Sequence, residues 1–157
     1  MPYASTLRGM AEDPFADLAD LLFNVGRLVR ARTPETDQAV PLNETERLVM
    51  RMVDLHPGSS PTEIAERARL QRTNVSGALR SLESKGMVRR QATGGRGVAV
   101  HPTELAARNL RLLRSGWSRQ LGGVLGDDLD AVRECAALLA RLETDLTRNI
   151  RSEPSDG

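Results

Sequence analysis

Arginine is the residue of this sequence best suited to bind a specific partner, and it is concentrated in one short segment. Between Glu66 and Arg96, eight basic residues stand against two acidic ones, which gives a net charge of +6 in a chain whose total is +1. Seven of the eight are arginine, whose planar guanidinium binds phosphates and guanine edges through paired hydrogen bonds. A charge run can also be only the solvated face of a helix, but the pattern inside this segment favours a nucleic-acid surface.

Residues 72–80 have the distribution that a DNA-reading helix needs. At helical spacing Val75, Ala78 and Leu79 would face inward, which leaves small and polar residues on the outside. The major groove of B-DNA is about 12 Å wide and admits one helix, in which asparagine suits adenine and arginine suits guanine. Candidate contacts to base edges are Arg72, Thr73, Asn74 and Ser76, with Gly77 on the same outward face. Candidate contacts to phosphates are Arg69, Arg80, Arg89 and Arg90.

Two capping boxes predict where the helices that carry this segment begin. Residues 43–46, Asn-Glu-Thr-Glu, open one helix, and residues 60–63, Ser-Pro-Thr-Glu, open a second. The first is expected to end at residues 56–58, and the DNA-reading helix is expected over residues 72–85, followed by Gly86 as the glycine past its end. The residues predicted to be buried in the first helix are Leu48, Val49, Met52, Val53 and Leu55.

The periodicity then changes to that of a β-hairpin. Residues 87–91 predict a strand, residues 92–95 a turn and residues 96–100 a returning strand. Arg96 lies beside the glycines of the turn, where it can enter a minor groove, because the negative potential of that groove attracts arginine. Helices followed by such a hairpin predict a winged helix-turn-helix domain over residues 43–102.

Both ends of the chain predict long amphipathic helices that a small winged domain cannot cover. An aspartate and a proline start one helix over residues 13–32. Thr103 starts another, which is expected to break at Gly122-Gly123 and Gly126-Asp127 before a last helix over residues 128–149. Their apolar positions are expected to bury against a second copy of the chain, and the candidates are Phe15, Leu18, Leu22, Val25, Leu129, Val132, Leu139 and Leu146.

The predicted fold class is mainly α with a small β-hairpin wing, a winged helix-turn-helix with N- and C-terminal dimerisation helices. The dimerisation helices occupy residues 13–32 and 103–150. Residues 1–12 are expected to form a loose arm, and residues 151–157 a disordered tail, because neither segment has helical or strand periodicity.

The winged segment resembles the multiple-antibiotic-resistance regulator (MarR) family. The matching stretches are residues 42–46, 57–58, 62–65, 73–76, 82–90 and 103–105. The resemblance implies a DNA-binding transcription regulator, by default a ligand-responsive repressor on a pseudo-palindromic operator in double-stranded DNA. It further implies a homodimer formed by the first and last two helices, with a small amphipathic ligand, often an aromatic acid, between those helices and the winged domain.

Two positions depart from the family pattern. The wing of the family usually carries Asp-x-Arg, in which the carboxylate helps to position the arginine. Here Gly94-Gly95-Arg96 keeps the arginine and lacks the carboxylate. Gln71 also stands where an acidic or hydroxyl residue commonly caps the DNA-reading helix.

Other functions have less support in the sequence. A winged helix can serve as a protein-interaction module, although such a face would more often be apolar than basic. A thiol-based redox sensor would have to use Cys135, the only cysteine, which is expected to be a buried and inert thiol in the last helix. The chain has no pattern typical of an enzyme, and His56 and His101 have no companions at metal-ligand spacing, so neither catalysis nor a cofactor is expected.

The cellular setting is predicted to be the cytoplasm, away from any membrane. A single cysteine gives no disulfide framework, which is typical of a reducing compartment. No apolar stretch is long enough to cross a bilayer.

Overall fold

The computed structural model describes residues 13–32 and 39–149. Their elements are α1 (Pro14–Arg32), α2 (Glu44–Leu55), α3 (Pro61–Ala68), α4 (Arg72–Ser84), β1 (Val88–Ala92), β2 (Val98–Pro102), α5 (Glu104–Leu125) and α6 (Leu129–Asn149). The prediction of a mainly α fold with a small β-hairpin wing is confirmed. The predicted arm over residues 1–12 and the predicted tail over residues 151–157 lie outside the described residues.

The described chain divides into two compact units, one that ends at Trp117 and one that starts at Ser118. In the first unit, α2, α3 and α4 pack on one another and on the hairpin. Its core consists of Val49, Met50, Val53, Ile64, Ala65, Val75, Ala78, Leu79, Leu82, Met87, Val88, Val100 and Ala106. The inward face predicted for α4 is therefore confirmed.

The buried face of α2 is rotated from the predicted one. Glu46, Val49, Met50 and Val53 are buried, whereas Leu55 is 55% exposed. The predicted Leu48 and Met52 are only half-buried. The prediction is confirmed for Val49 and Val53 and wrong for Leu55. It followed hydrophobicity alone, while the buried face, at spacings of three and four, includes a charged residue, Glu46.

Both predicted capping boxes are present. The Asn43 side chain accepts from the N–H of Glu46 at 2.8 Å, and the Glu46 carboxylate accepts from the N–H of Asn43 at 2.8 Å. Ser60 and Glu63 make the same exchange at 3.2 and 2.7 Å. Each box satisfies two backbone donors that a helix start leaves unpaired, and this fixes the starts of α2 and α3.

The hairpin lies slightly later in the chain than predicted. Ala92 pairs with Val98, which leaves residues 93–97 as the loop, closed by the N–H of Thr93 donating to the carbonyl of Gly97 at 3.0 Å. Placing Arg96 in the returning strand was therefore wrong, since it lies in the loop. A Cβ added at Gly97 would lie 2.6 Å from the Thr93 hydroxyl, so a larger residue there would require the Thr93 side chain to shift.

The predicted break at Gly122-Gly123 is also wrong. Both glycines lie inside α5, which ends at Leu125 and is followed by Gly126 at φ +63°. A glycine in a helix costs about 1 kcal/mol relative to alanine, but it ends the helix only where the backbone turns left-handed. Among the described helices, none is both long and apolar enough to span a bilayer.

Glu46 is the most constrained charged residue of the first unit. Its side chain is 2% exposed, and its carboxylate accepts from Lys85 Nζ at 2.7 and 2.9 Å and from the Ser81 hydroxyl at 2.6 Å. Lys85 follows the last residue of α4, and it also donates to the carbonyl of Pro41 at 2.9 Å. Glu46 thus joins the first turn of α2 to the end of α4.

The same contacts set the protonation of Glu46. Burial raises the pKa of its carboxyl group, but the hydrogen bonds from Lys85, Ser81 and the backbone of Asn43 outweigh burial and lower the pKa below its ordinary value of 4.5. Because the folded-state pKa is the lower one, this carboxylate stabilises the fold above about pH 4.5. That stabilisation is lost as the pH falls through the folded-state value.

We expect the two partners to respond unequally to substitution. Lys85→Met leaves a buried carboxylate without its cation and should lower the free energy of unfolding by about 3 kcal/mol. Glu46→Gln should cost less, because the Lys85 side chain is 31% exposed and can reach water. Urea denaturation of both variants and of the double variant measures this. Equal losses of the free energy of unfolding in the two single variants would contradict this account of the Glu46–Lys85 pair. A loss in the double variant equal to the sum of the two single losses would contradict it as well.

Candidate nucleic-acid interface

The outward face of α4 is polar and exposed, as predicted. Arg72, Thr73, Asn74, Ser76 and Arg80 are exposed, and Gly77 is half-buried. The opposite face of the helix is anchored by Val75 and Leu79, which are completely buried. A rigid core therefore holds a row of hydrogen-bonding side chains toward solvent.

The start of α4 is open. Gln71 occupies the N-cap position with extended backbone angles, and its side chain makes no capping hydrogen bond. No acidic residue lies in the first turn. The first backbone N–H groups of a helix carry partial positive charge, so this end of α4 favours an approaching anion.

Arg69 holds the turn between α3 and α4. It is exposed, and its backbone is left-handed at φ 55° and ψ 43°. Its N–H donates to the carbonyl of Ala65, which caps α3. This backbone region is sparsely populated by residues other than glycine and asparagine, so the turn sets the backbone conformation of Arg69.

The two arginines of β1 have different surroundings. Neighbouring strand residues point to opposite faces, and Arg90 shares the face of the buried Val88. Arg90 Nε lies 3.2 Å from Glu83 Oε2 of α4. Arg89, exposed on the other face, is paired in register with His101. The structure therefore does not bring both together as one cationic surface.

Arg96 lies at the tip of the wing. It is exposed in the loop of residues 93–97, which contains no carboxylate. A Cβ added at Gly94 or Gly95 would meet nothing within 4 Å, so the neighbours leave this tip open. The wing thus presents one arginine away from the core.

Lys85 does not belong to this surface, although it contributes to the positive charge of the segment. Its ammonium group is held by Glu46 and by the carbonyl of Pro41. Sequence reasoning missed Glu46 as more than a capping residue. Its apolar neighbours at Val49, Met50 and Val53 are the signal that it shares the buried face.

Most of the candidate dimerisation residues are apolar side chains that are exposed in the described part of the chain. In α1 no residue is buried, and Phe15 is 82% exposed. In α6, Leu129 is 56% exposed, and Val132 and Leu146 are also exposed. Of the remaining candidates, Leu22 and Val25 are exposed, and Leu18 and Leu139 are half-buried.

Cys135 does not match its predicted environment. The thiol is exposed rather than buried. In the described part of the sequence, no three His, Cys, Asp or Glu side chains are grouped to hold a metal ion.

Comparison with known proteins connects this surface to one family. The MarR family model matches residues 41–97. The HTH-type transcriptional repressor Rv2887 of Mycobacterium tuberculosis is 32% identical over 106 residues, which are 68% of this chain and 74% of the relative.

Solved structures agree with the sequence comparison. The MarR family protein Rv2887 of Mycobacterium tuberculosis, in complex with p-aminosalicylic acid, matches with TM-score 0.59 and 28% identity over 80% of this chain and 97% of that one. A MarR family protein from Bacillus stearothermophilus matches with TM-score 0.68 and 18% identity over 85% and 95% of the two chains. The latter likeness concerns the fold alone.

The open start of α4 gives a stability prediction. Gln71→Ser supplies the hydroxyl that can accept from the first turn and should raise the free energy of unfolding by about 1 kcal/mol. Gln71→Ala is the matched control, because it removes the same side chain without adding an acceptor. Thermal and urea denaturation compare the two, and equal stability of both variants would show that α4 needs no cap.

Proposed function

Because the chain belongs to the MarR family of winged helix-turn-helix transcription regulators, we propose that it binds double-stranded DNA as a homodimer and represses transcription from a pseudo-palindromic operator. The observation that carries the proposal is the exposed polar face of α4 in the most basic segment of the chain. Repression is inferred from the relative, which is a transcriptional repressor by name. We infer that the protein acts in the cytoplasm.

The outward face of α4 is the proposed reader of sequence. Arg72, Thr73, Asn74 and Ser76 are short or planar donors and acceptors that suit base edges in the major groove. Gly77, on the same helix, has no side chain to hold the helix away from the bases. The open start of α4 adds backbone N–H groups that favour a phosphate beside the groove.

The remaining arginines are proposed to hold the backbone of the DNA. Arg69 and Arg80 flank the reading face and are exposed. Arg89 and Arg90 are candidate phosphate contacts, of which Arg90 would exchange Glu83 for phosphate. Arg96, at the wing tip, would enter the adjacent minor groove. These contacts would fix the orientation of the protein on the DNA and would contribute little to its sequence preference.

The homodimer is proposed from the uncovered apolar stripes of α1 and α6. Apolar surface gains about 25 cal/mol for each Å² removed from water, so large exposed residues such as Phe15 and Leu129 favour a partner. A two-fold dimer presents two copies of α4, which is why a palindromic operator is expected.

The proposal of a ligand rests on the similarity to the Mycobacterium tuberculosis relative Rv2887. That protein, 28% identical to this chain, has a solved complex with p-aminosalicylic acid. We infer that a small aromatic acid regulates DNA binding here as well. No resident cofactor is part of the proposal.

Two substitutions distinguish contacts that select the base sequence from contacts that bind DNA of any sequence. Asn74→Ala should cost about 1–3 kcal/mol on the preferred duplex and relax the preference at one base pair. Arg96→Ala should weaken binding to all duplexes more evenly and reduce the slope of log affinity against log salt by about one per subunit. Anisotropy titrations at several salt concentrations distinguish the two effects. An Asn74→Ala variant that is folded and keeps full site preference would contradict the assignment of α4.

The dimer is tested in solution. Val132→Asp places a charge in the apolar stripe of α6 and should shift the protein from dimer to monomer or aggregate. Ala137→Asp, on the other side of the same helix, is the control and should leave the dimer intact. Sedimentation velocity at micromolar concentration measures both. A folded wild-type monomer under these conditions would contradict the dimer.

A further inference from the structure

A buried asparagine on α5 holds the backbone that leads into α2. Asn109 is 3% exposed. Its side-chain oxygen accepts from the N–H of Val40 at 2.8 Å, and its side-chain amide donates to the carbonyl of Val40 at 3.4 Å. The side-chain amide of Asn109 is therefore hydrogen-bonded to both the backbone N–H and the backbone carbonyl of Val40. These two bonds fix the position and the orientation of Val40.

The next residue of the same segment is held from the other side. The carbonyl of Pro41 accepts from Lys85 Nζ at 2.9 Å, and Lys85 caps the C-terminal end of α4. Two residues later, the N–H of Asn43 donates to Glu46, the carboxylate that also binds Lys85. Residues 40–43 are thus fixed between α5 and the end of α4, and we call this segment the connector.

Asparagine is an unusual residue on the buried side of a helix. A buried amide has to recover the hydrogen bonds that it would make with water, and an apolar residue would avoid that cost. The neighbouring inward residues of α5, Ala106 and Gly116, are small and apolar. Asparagine adds orientation, because two hydrogen bonds to the N–H and the carbonyl of one residue, Val40, prevent that residue from sliding along α5.

We propose that Asn109 is a positioning residue for DNA recognition, which acts through the connector and Lys85 to fix the end of α4 relative to α5. The proposal rests on the proposed function, in which α5 belongs to the dimerisation helices and α4 reads the DNA. In a dimer, the placement of each α4 on its dimerisation helices sets the distance between the two reading helices. Asn109 therefore determines how strictly the protein selects one spacing between half-sites.

The experiment measures that spacing preference. Wild-type protein and Asn109→Ala are titrated with the duplex that the wild type selects from a random pool, and with the same duplex carrying one base pair more or less between its half-sites. The ratio of the affinities for the original and altered spacing should fall at least about fivefold in Asn109→Ala, the lower end of coupling between distinct sites. Circular dichroism and thermal denaturation establish that the variant is folded.

The controls separate positioning from stability. Ile64→Val removes one methyl group from the core of the same unit and should lower the melting temperature without changing the ratio. Asn109→Leu keeps nearly the same side-chain volume, introduces no buried charge and removes both hydrogen bonds to Val40, so its ratio should fall as it does in Asn109→Ala. It also provides the test should Asn109→Ala not fold.

Each outcome bears on a different claim. A folded Asn109 variant that keeps the wild-type ratio would overturn the positioning role while leaving the proposed function intact. An equal loss of the ratio in Ile64→Val would also overturn it, because the effect would then follow stability alone. A wild-type protein that selects no duplex would contradict the proposed function itself, and the positioning role with it.

Discussion

The winged unit depends on one carboxylate that cannot be left without partners. Glu46 is buried in the face of α2 that packs against α4, where an uncompensated charge would cost several kcal/mol. Lys85, Ser81 and the N–H of Asn43 satisfy it. Because these partners come from the last turn of α4 and the start of α2, satisfying the charge also fixes where α4 ends. The arrangement orients α4 as well as stabilising the core.

Because Glu46 needs a cation, part of the positive charge in the segment from Glu66 to Arg96 is used within the protein. Lys85 is used inside the protein, and Arg90 is paired with Glu83. The other six arginines of the segment are exposed, and they lie at the end of α3, at the turn before α4, along α4, on β1 and at the wing tip. Charge along the sequence therefore does not identify which cations are available to a partner, because packing determines which of them are already paired within the protein.

Local rules made most of the fold predictable. The capping boxes at Asn43 and Ser60, the apolar spacing of α4 and the left-handed Gly86 all act within a few residues, and the structure contains each of them. The errors at the hairpin loop and at Gly122-Gly123 are local, whereas the placement of Glu46 and Asn109 depends on distant contacts. The burial of Glu46 requires a lysine 39 positions away in the sequence. The hydrogen bond between Asn109 and Val40 joins residues 69 positions apart. Cys135 was expected to be buried by the apolar spacing of its helix, and it is exposed.

The central claim is that two copies of α4 read one symmetrical site, and selection of bound duplexes from a random pool tests it most directly. The proposed dimer predicts enrichment of an inverted repeat whose half-sites are about one helical turn, or a multiple of it, apart. Asn74→Ala should return the same repeat with weaker preference at one base pair in each half. Enrichment of a single asymmetric half-site, or of no sequence at all from a folded protein, would contradict the account.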